Sequence, residues 1–311
     1  MPVFSDSTFL SGDGKTRIHV RRCTPDGAPR AVLQIAHGIA EHVERYDEFA
    51  SFLAKNGFLV VANDHLGHGQ SVAADGELGH FADTDGWMTA VGDMHSLSRL
   101  TQAEHPQLPY FLFGHSMGSF LTRTYLLRWS DELTGAVICG TGQQPAGVVA
   151  GGKLASALEI RKHGARYHSD RLNNLAFGGY NRAFQPARTP NDWLSRDEAQ
   201  VDRYNADPLC GFVPTAGLFH DMMGGIQMIS KLSNVSRMRR DLPVLFISGD
   251  ADPVGENGKG VRRAYENFLR AGMTDVSLKL YPGGRHEILN ELCRNEVYDD
   301  VLQWLEGRMA P

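Results

Sequence analysis

The stretch Phe111–Phe120, FLFGHSMGSF, runs from an apolar, aromatic segment into a serine held between glycines. The apolar part reads as a buried strand, and the chain from Ser119 to about Trp129 has helical texture. Ser116 therefore falls at a strand-to-helix turn, inside the G-x-S-x-G pattern Gly114–Gly118. A sharp turn brings neighbouring segments close, and a side chain at 114 or 118 would clash. Such a turn holds the hydroxyl at the sheet edge, over a helix N-terminus whose dipole favours developing negative charge. The pentapeptide is short enough to arise by chance, so its meaning depends on partners elsewhere in the chain.

On either side of this stretch the chain alternates between apolar runs and helical segments. AVLQIAHG (31–38), GFLVVAND (57–64), YFLFGHS (110–116) and GAVICGTG (135–142) suit strands buried on both faces of a parallel sheet. ERYDEFASFLAKNG and DGWMTAVGDMHSLSRLTQAEHP carry apolar positions at helical spacing. Strand and helix in alternation predict a parallel α/β sheet. At the start, KTRIHVRRC can pair with STFLS across the turn GDG. The rhythm stops after Gly142 and resumes with the strand LPVLFISGD (242–250), a helix, the strand VSLKLYP (276–282) and a last helix from Glu291 to Gly307. The intervening residues, 143–241, are helical in texture and read as a cap over the strand ends. Residues 1–142 and 242–311 then form one core.

Composition narrows the function. The 311 residues are 42% hydrophobic and 22% charged with a net charge of −5, which gives no basic footprint for nucleic acid. Cys23, Cys139, Cys210 and Cys293 are scattered, with neither zinc-site nor disulfide spacing. No secretory signal pattern opens the chain, and no apolar run reaches the ~18 residues of a membrane span. The expectation is a cytoplasmic protein without stable membrane insertion, any membrane contact being transient and through the cap.

A serine hydroxyl needs a base to take its proton, and in such a sheet the partners follow in the order Ser, Asp or Glu, His. FISGDADPVG sets Asp250 and Asp252 just past one strand, and LYPGGRHEIL sets His286 just past another. All three groups fall at strand C-termini, where sites in open α/β sheets form. Asp252, further into its loop and stiffened by Pro253, is the favoured partner of His286; Asp250 suits capping the loop. Oxyanion donors are expected from the backbone N–H of Met117 and, in the loop QIAHGIAEH, of Ile39.

HGIAEHVERY (37–46), NDHLGHGQS (63–71), GHSMGS, YNADPL (204–209) and GDADPV together resemble the monoacylglycerol lipase and lysophospholipase branch of the α/β-hydrolases. The blocks span roughly residues 30 to 305. The resemblance implies an α/β-hydrolase fold: a mostly parallel eight-stranded sheet flanked by helices, with a helical cap inserted between two strands. It implies a Ser116–Asp252–His286 triad, an oxyanion hole from Ile39 and Met117, and Glu41, Arg45, His115 and Tyr204 near the polar head of a small-molecule ester such as an acylglycerol. Two departures stand out: a long, polar stretch before YNADPL, and alanine at position 40 where the animal glyceride lipases carry glycine. FVPTAGLFHDMMGGIQMI (212–229) reads as acyl-pocket wall and cap core.

No cofactor is expected: the chain lacks G-x-G-x-x-G after its first parallel strand, and GDGK at 12–15 is a turn. The pairs His37/His42 and His65/His68 lack metal-ligand arrangement and suit holding loop backbone, so no metal is assigned. Fold and triad leave open thioesterase, peptidase or carbon–carbon hydrolase chemistry, and a non-enzymatic receptor. A peptidase for free N-termini would want a cap carboxylate facing the site, for which Asp202 and Asp207 are the candidates.

Overall fold

A computed structural model describes residues 1–74 and 76–309. The strands are β1 (Val3–Leu10), β2 (Arg17–Thr24), β3 (Ala31–Ala36), β4 (Phe58–Asn63), β5 (Tyr110–His115), β6 (Gly135–Cys139), β7 (Val244–Gly249) and β8 (Val276–Tyr281). They form one eight-stranded sheet in the order β1-β2-β4-β3-β5-β6-β7-β8. The pairs β1·β2 and β2·β4 are antiparallel and the rest parallel. β1 and β2 form the anticipated hairpin, with Leu10 opposite Arg17.

Strands β3 to β7 are buried at every residue, as strands covered on both faces must be. Their two-residue period divides them between two cores. Leu112, Ile138 and Phe246 pack on one face with α2 (Gly86–Glu104), α3 (Met117–Trp129) and α9 (Lys259–Arg270). Phe111, Phe113, Val137 and Ile247 pack on the other with α1 (Asp47–Lys55) and α10 (Arg294–Glu306). The last helix begins at Arg294 rather than Glu291, because Glu291 is extended, with φ −86° and ψ 167°, at the end of the 3-10 turn 288–290.

Between β6 and β7 lie α4 (Ala146–His163), α5 (Asp170–Phe177), α6 (Glu198–Ala206), α7 (Ala216–Ser230) and the short α8 (Leu232–Val235). Side chains at the N-terminus cap three of them: Ser169 accepts from Leu172 N–H, Asp197 from Ala199 N–H and Thr215 from Leu218 N–H. The apolar face of α7, with Leu218, Phe219, Met222 and Ile226, joins the core that contains α2 and α3. α7 packs against α4 and also against α2 and α3. No described helix is long and apolar enough to cross a membrane.

Candidate active site

Ser116 sits between β5 and α3 with φ 53° and ψ −120°, a conformation that costs a non-glycine residue about 1–3 kcal/mol. The surroundings hold it there: its N–H donates to Cys139 O at 3.0 Å, and its carbonyl accepts from Ser119 N–H and Ser119 Oγ. α3 starts at Met117, two residues earlier than its sequence texture indicates. The flanking glycines answer to close backbone. A Cβ at Gly114 would lie 2.4 Å from Gly118 O, and one at Gly118 would lie 2.1 Å from Ala36 O.

His286 follows β8, and its Nδ1–H donates to Asp252, with both carboxylate oxygens at 3.0 Å. Ser248 Oγ and Val254 N–H also donate to this carboxylate, which is completely buried. Asp250 accepts from Gly283 N–H at 2.7 Å and stays exposed. Burial opposes charge on His286. The Asp252 charge and hydrogen bond outweigh it, with Glu287 and Glu41 adding to them, so the imidazole pKa ends above its usual value. His115, the last residue of β5, packs its ring 4.7 Å from that of His286. Burial, with His286 beside it, pushes the His115 pKa well down and keeps it neutral.

The loop after β3 reaches the same place. A Cβ at Gly38 would lie 3.2 Å from Ser116 Cβ and 2.5 Å from Glu41 Oε1, so only glycine allows this approach. Glu41 accepts from Gly38 N–H at 2.6 Å and from Tyr46 OH at 2.8 Å. Ile39 and Met117 both border the cavity beside Ser116. Ala40 takes φ 54°, the left-handed region where glycine is at ease. Its carbonyl accepts from Tyr204 OH at 3.1 Å and Gly211 N–H at 2.9 Å, and these bonds hold the loop to α6 and the turn beyond it.

Glu41, His115 and Tyr204 line the cavity. Arg45 stands behind its wall. The guanidinium bonds Glu41 at 2.8 Å and takes Glu287 in a two-point grip at 2.6 and 2.7 Å, with its face over Tyr204. Burial raises the Glu41 pKa against the pull of Arg45. Burial also opposes ionisation of Glu287, but there Arg45 prevails and the pKa is lowered. The sequence reading passed over Glu287, although it adjoins His286 and an Arg–Glu pair four residues apart was visible at 41 and 45. It also passed over Trp193, whose ring lies 5.1 Å from that of His286.

Ser116 and His286 open into a cavity of about 560 Å³. Val148, Leu172, Phe177, Phe219, Met222, Met223 and Ile226 make its far wall apolar, as expected for the stretch 212–229. The wall carboxylates Glu41, Glu256 and Glu287 each pair with an arginine. Asp202, in a surface pair with Arg188, and Asp207, bonded to His42, both lie outside the cavity lining. His42, Asp207 and Cys210 are the group among the described residues whose metal-binding atoms lie within 4.8 Å of one another, and they are outside the cavity lining. His37, His65 and His68 hold loop backbone: His37 Nε2 accepts from His65 N–H, and His68 bonds Leu66 O.

A strained serine-bearing turn, an imidazole seated on a carboxylate and a largely apolar cavity meet at one place. The sequence model described as serine aminopeptidase, S33, matches residues 27–293. The monoglyceride lipase of Rattus norvegicus is 31% identical over 306 residues, 97% of this chain and 90% of that one. The chain belongs to this hydrolase family. The monoacylglycerol lipase of Mycolicibacterium smegmatis is 32% identical over 320 residues, 98% of both chains. A thermostable carboxyl esterase from Bacillus coagulans, solved with glycerol, superposes with a TM-score of 0.92 at 31% identity over 99% of both chains. As a family member the chain is an α/β-hydrolase of the esterase and lipase type, acting on small-molecule esters.

Proposed function

We propose that this hydrolase cleaves monoacylglycerols through a covalent acyl-enzyme on Ser116, with His286 as base and Asp252 as its partner. The observation that carries the reading is the joining of Ser116 and the His286–Asp252 pair to one largely apolar cavity. Identity of 31–32% to monoglyceride and monoacylglycerol lipases, along nearly the whole chain, supports the glyceride part.

In this mechanism His286 Nε2 takes the Ser116 proton as Oγ attacks the ester carbonyl. The N–H groups of Met117 and Ile39 hold the oxyanion; loss of one such donor costs about 3–4 kcal/mol. Collapse expels the alcohol, protonated by His286, and leaves the acyl group on Ser116. Water, deprotonated by His286, then releases the acid. Asp252 fixes the tautomer and stabilises the imidazolium.

Residues 143–241 act as a cap on a core of 1–142 and 242–311, with the acyl chain held among α4, α5 and α7. Glu41, His115 and Tyr204 stand at the polar head of the ester, and Arg45 acts by holding Glu41 and Glu287. We read the protein as cytoplasmic. Its four cysteines are free thiols, as a reducing compartment keeps them.

The test is kcat/KM along one ester series, from acetyl to palmitoyl, with both p-nitrophenyl and 1-glycerol leaving groups and Ser116→Ala as control. Glycerol esters of medium or long chain at least as good as the activated esters support the reading. Activity confined to short activated esters makes the protein a general esterase instead.

A further inference from the structure

The loop that carries His286 is fastened along its length to the segment Asp192–Asp197, nearly a hundred residues earlier in the chain. His286 N–H points to Trp193 O at 3.4 Å, and Glu287 N–H donates to Leu194 O at 2.7 Å. Ser195 Oγ donates to Asn290 O at 2.8 Å. Arg285 reaches back to Ser195 O and Asp192 O, and Arg294 bonds Asp197 at 2.8 Å.

One carboxylate joins the two segments. Glu291 is completely buried. Its Oε1 accepts from Arg285 N–H at 3.1 Å and Arg196 N–H at 2.9 Å, and its Oε2 accepts from Arg196 Nε and Leu292 N–H, both at 2.9 Å. Four donors converge on one ionised group, and charge-assisted bonds of this kind are about twice as strong as neutral ones. Glu291 thus ties both ends of the 285–292 loop together and ties the loop to the cap side. The backbone N–H groups of residues 285, 286 and 287 are held by Glu291, Trp193 and Leu194 in turn. Trp193, held in this way, also lays its ring near one side of the imidazole.

The geometry points to Glu291, with Arg196, as a positioning residue for His286: it sets the reach of the imidazole toward Ser116 and Asp252 without touching substrate. This rests on His286 being the base in the reaction proposed above. It also makes the 192–197 part of the cap a fixed wall of the site, because this part cannot lift without drawing the base with it.

The groups facing His286 are Asp252 after β7, His115 at the end of β5, and the Glu41–Arg45–Glu287 set. If the imidazole drifts from Asp252, burial prevails and its pKa falls. The experiment is the rate of Ser116 labelling by a fluorophosphonate against pH, per active site, in wild type, Glu291→Gln and Arg196→Met. In Glu291→Gln the new amide N–H₂ faces donors in place of an acceptor. The expected result is a rate about 10- to 100-fold slower per active site, the scale of an ångström's misplacement, with the acid limb moved to lower pH. Arg196→Met removes one donor and leaves Glu291 three backbone N–H donors, those of Arg285, residue 196 and Leu292. It should therefore fold, with a smaller change in the same direction.

A lower titre of active sites with an unchanged rate and pH profile would make Glu291 merely structural and overturn the proposal. If Glu291→Gln does not fold, Arg196→Met decides by the same criterion. Wild-type protein that is not labelled at Ser116 contradicts the proposed mechanism itself, which is a separate failure.

Discussion

His286 Nδ1 faces Asp252 with both carboxylate oxygens at 3.0 Å, and solvent reaches almost none of either side chain. The pair is strongly coupled because water does not screen it. In the proposed mechanism a neutral imidazole is the base, so kcat/KM should rise with pH through the His286 pKa. Because Asp252 raises that pKa, the acid limb of wild type should lie above the ordinary 6.5. In Asp252→Asn burial is opposed only by the smaller effects of Glu287 and Glu41. The limb should move below the wild-type position, and kcat should fall roughly 10³- to 10⁴-fold. A pH–rate profile of both proteins checks the two shifts together.

Arg45 serves two buried carboxylates at once, with its side chain about 10% exposed and those of Glu41 and Glu287 less so. Arg45→Met leaves both without their cation. Breaking a buried pair in this way costs about 3–5 kcal/mol, and here two are broken. Urea unfolding should show a loss of at least that size with an unchanged m value.

Gly118→Ala drives a methyl to within 2.1 Å of Ala36 O and 2.5 Å of His37 O, and backbone cannot yield as a flexible side chain would. The variant should fail to fold or lose more than about 3 kcal/mol. Gly147→Ala, in helix α4 with nothing within 4 Å of its new methyl, should be neutral or gain up to about 1 kcal/mol. Thermal melts of the two variants side by side separate steric closeness from glycine replacement as such.

Asp93 is buried on α2, where it accepts from Ser11 Oγ and Gly12 N–H, and burial pushes its pKa up to about 6. Between its ordinary 3.8 and about 6 the folded state keeps a proton that the unfolded state has released. Stability from this group is therefore greatest at low pH and falls as pH rises through 6. Asp93→Asn should remove that slope. The difference in Tm between pH 5 and pH 7.5 should be more favourable to pH 7.5 in the variant than in wild type.

The parts of this protein that were legible beforehand are those written in local pattern. β3 to β7 were visible as apolar runs because strands covered on both faces leave no polar alternation. The turn at Ser116 was visible because close backbone demands glycine at 114 and 118. The placing of Asp252 and His286 in order past two later strands follows from the sheet's topology. What escaped were partnerships without a period. Glu291 meets Arg196 across 95 positions, and Trp193 meets His286 across a similar gap. Nothing in WLSRD or RHEIL announces the other. Arg45 was read as a group near the ester head from the resemblance of its motif alone, while its carboxylate partner Glu287 lies 242 residues away.

The most direct test of the central claim is to stop the turnover of a 1-monoacylglycerol with acid within milliseconds and weigh the protein. The account predicts a transient gain equal to one acyl group, located on the peptide containing Ser116 and absent from Ser116→Ala. Hydrolysis of the same ester at undiminished rate by Ser116→Ala, or an acyl group found on another residue, would contradict it.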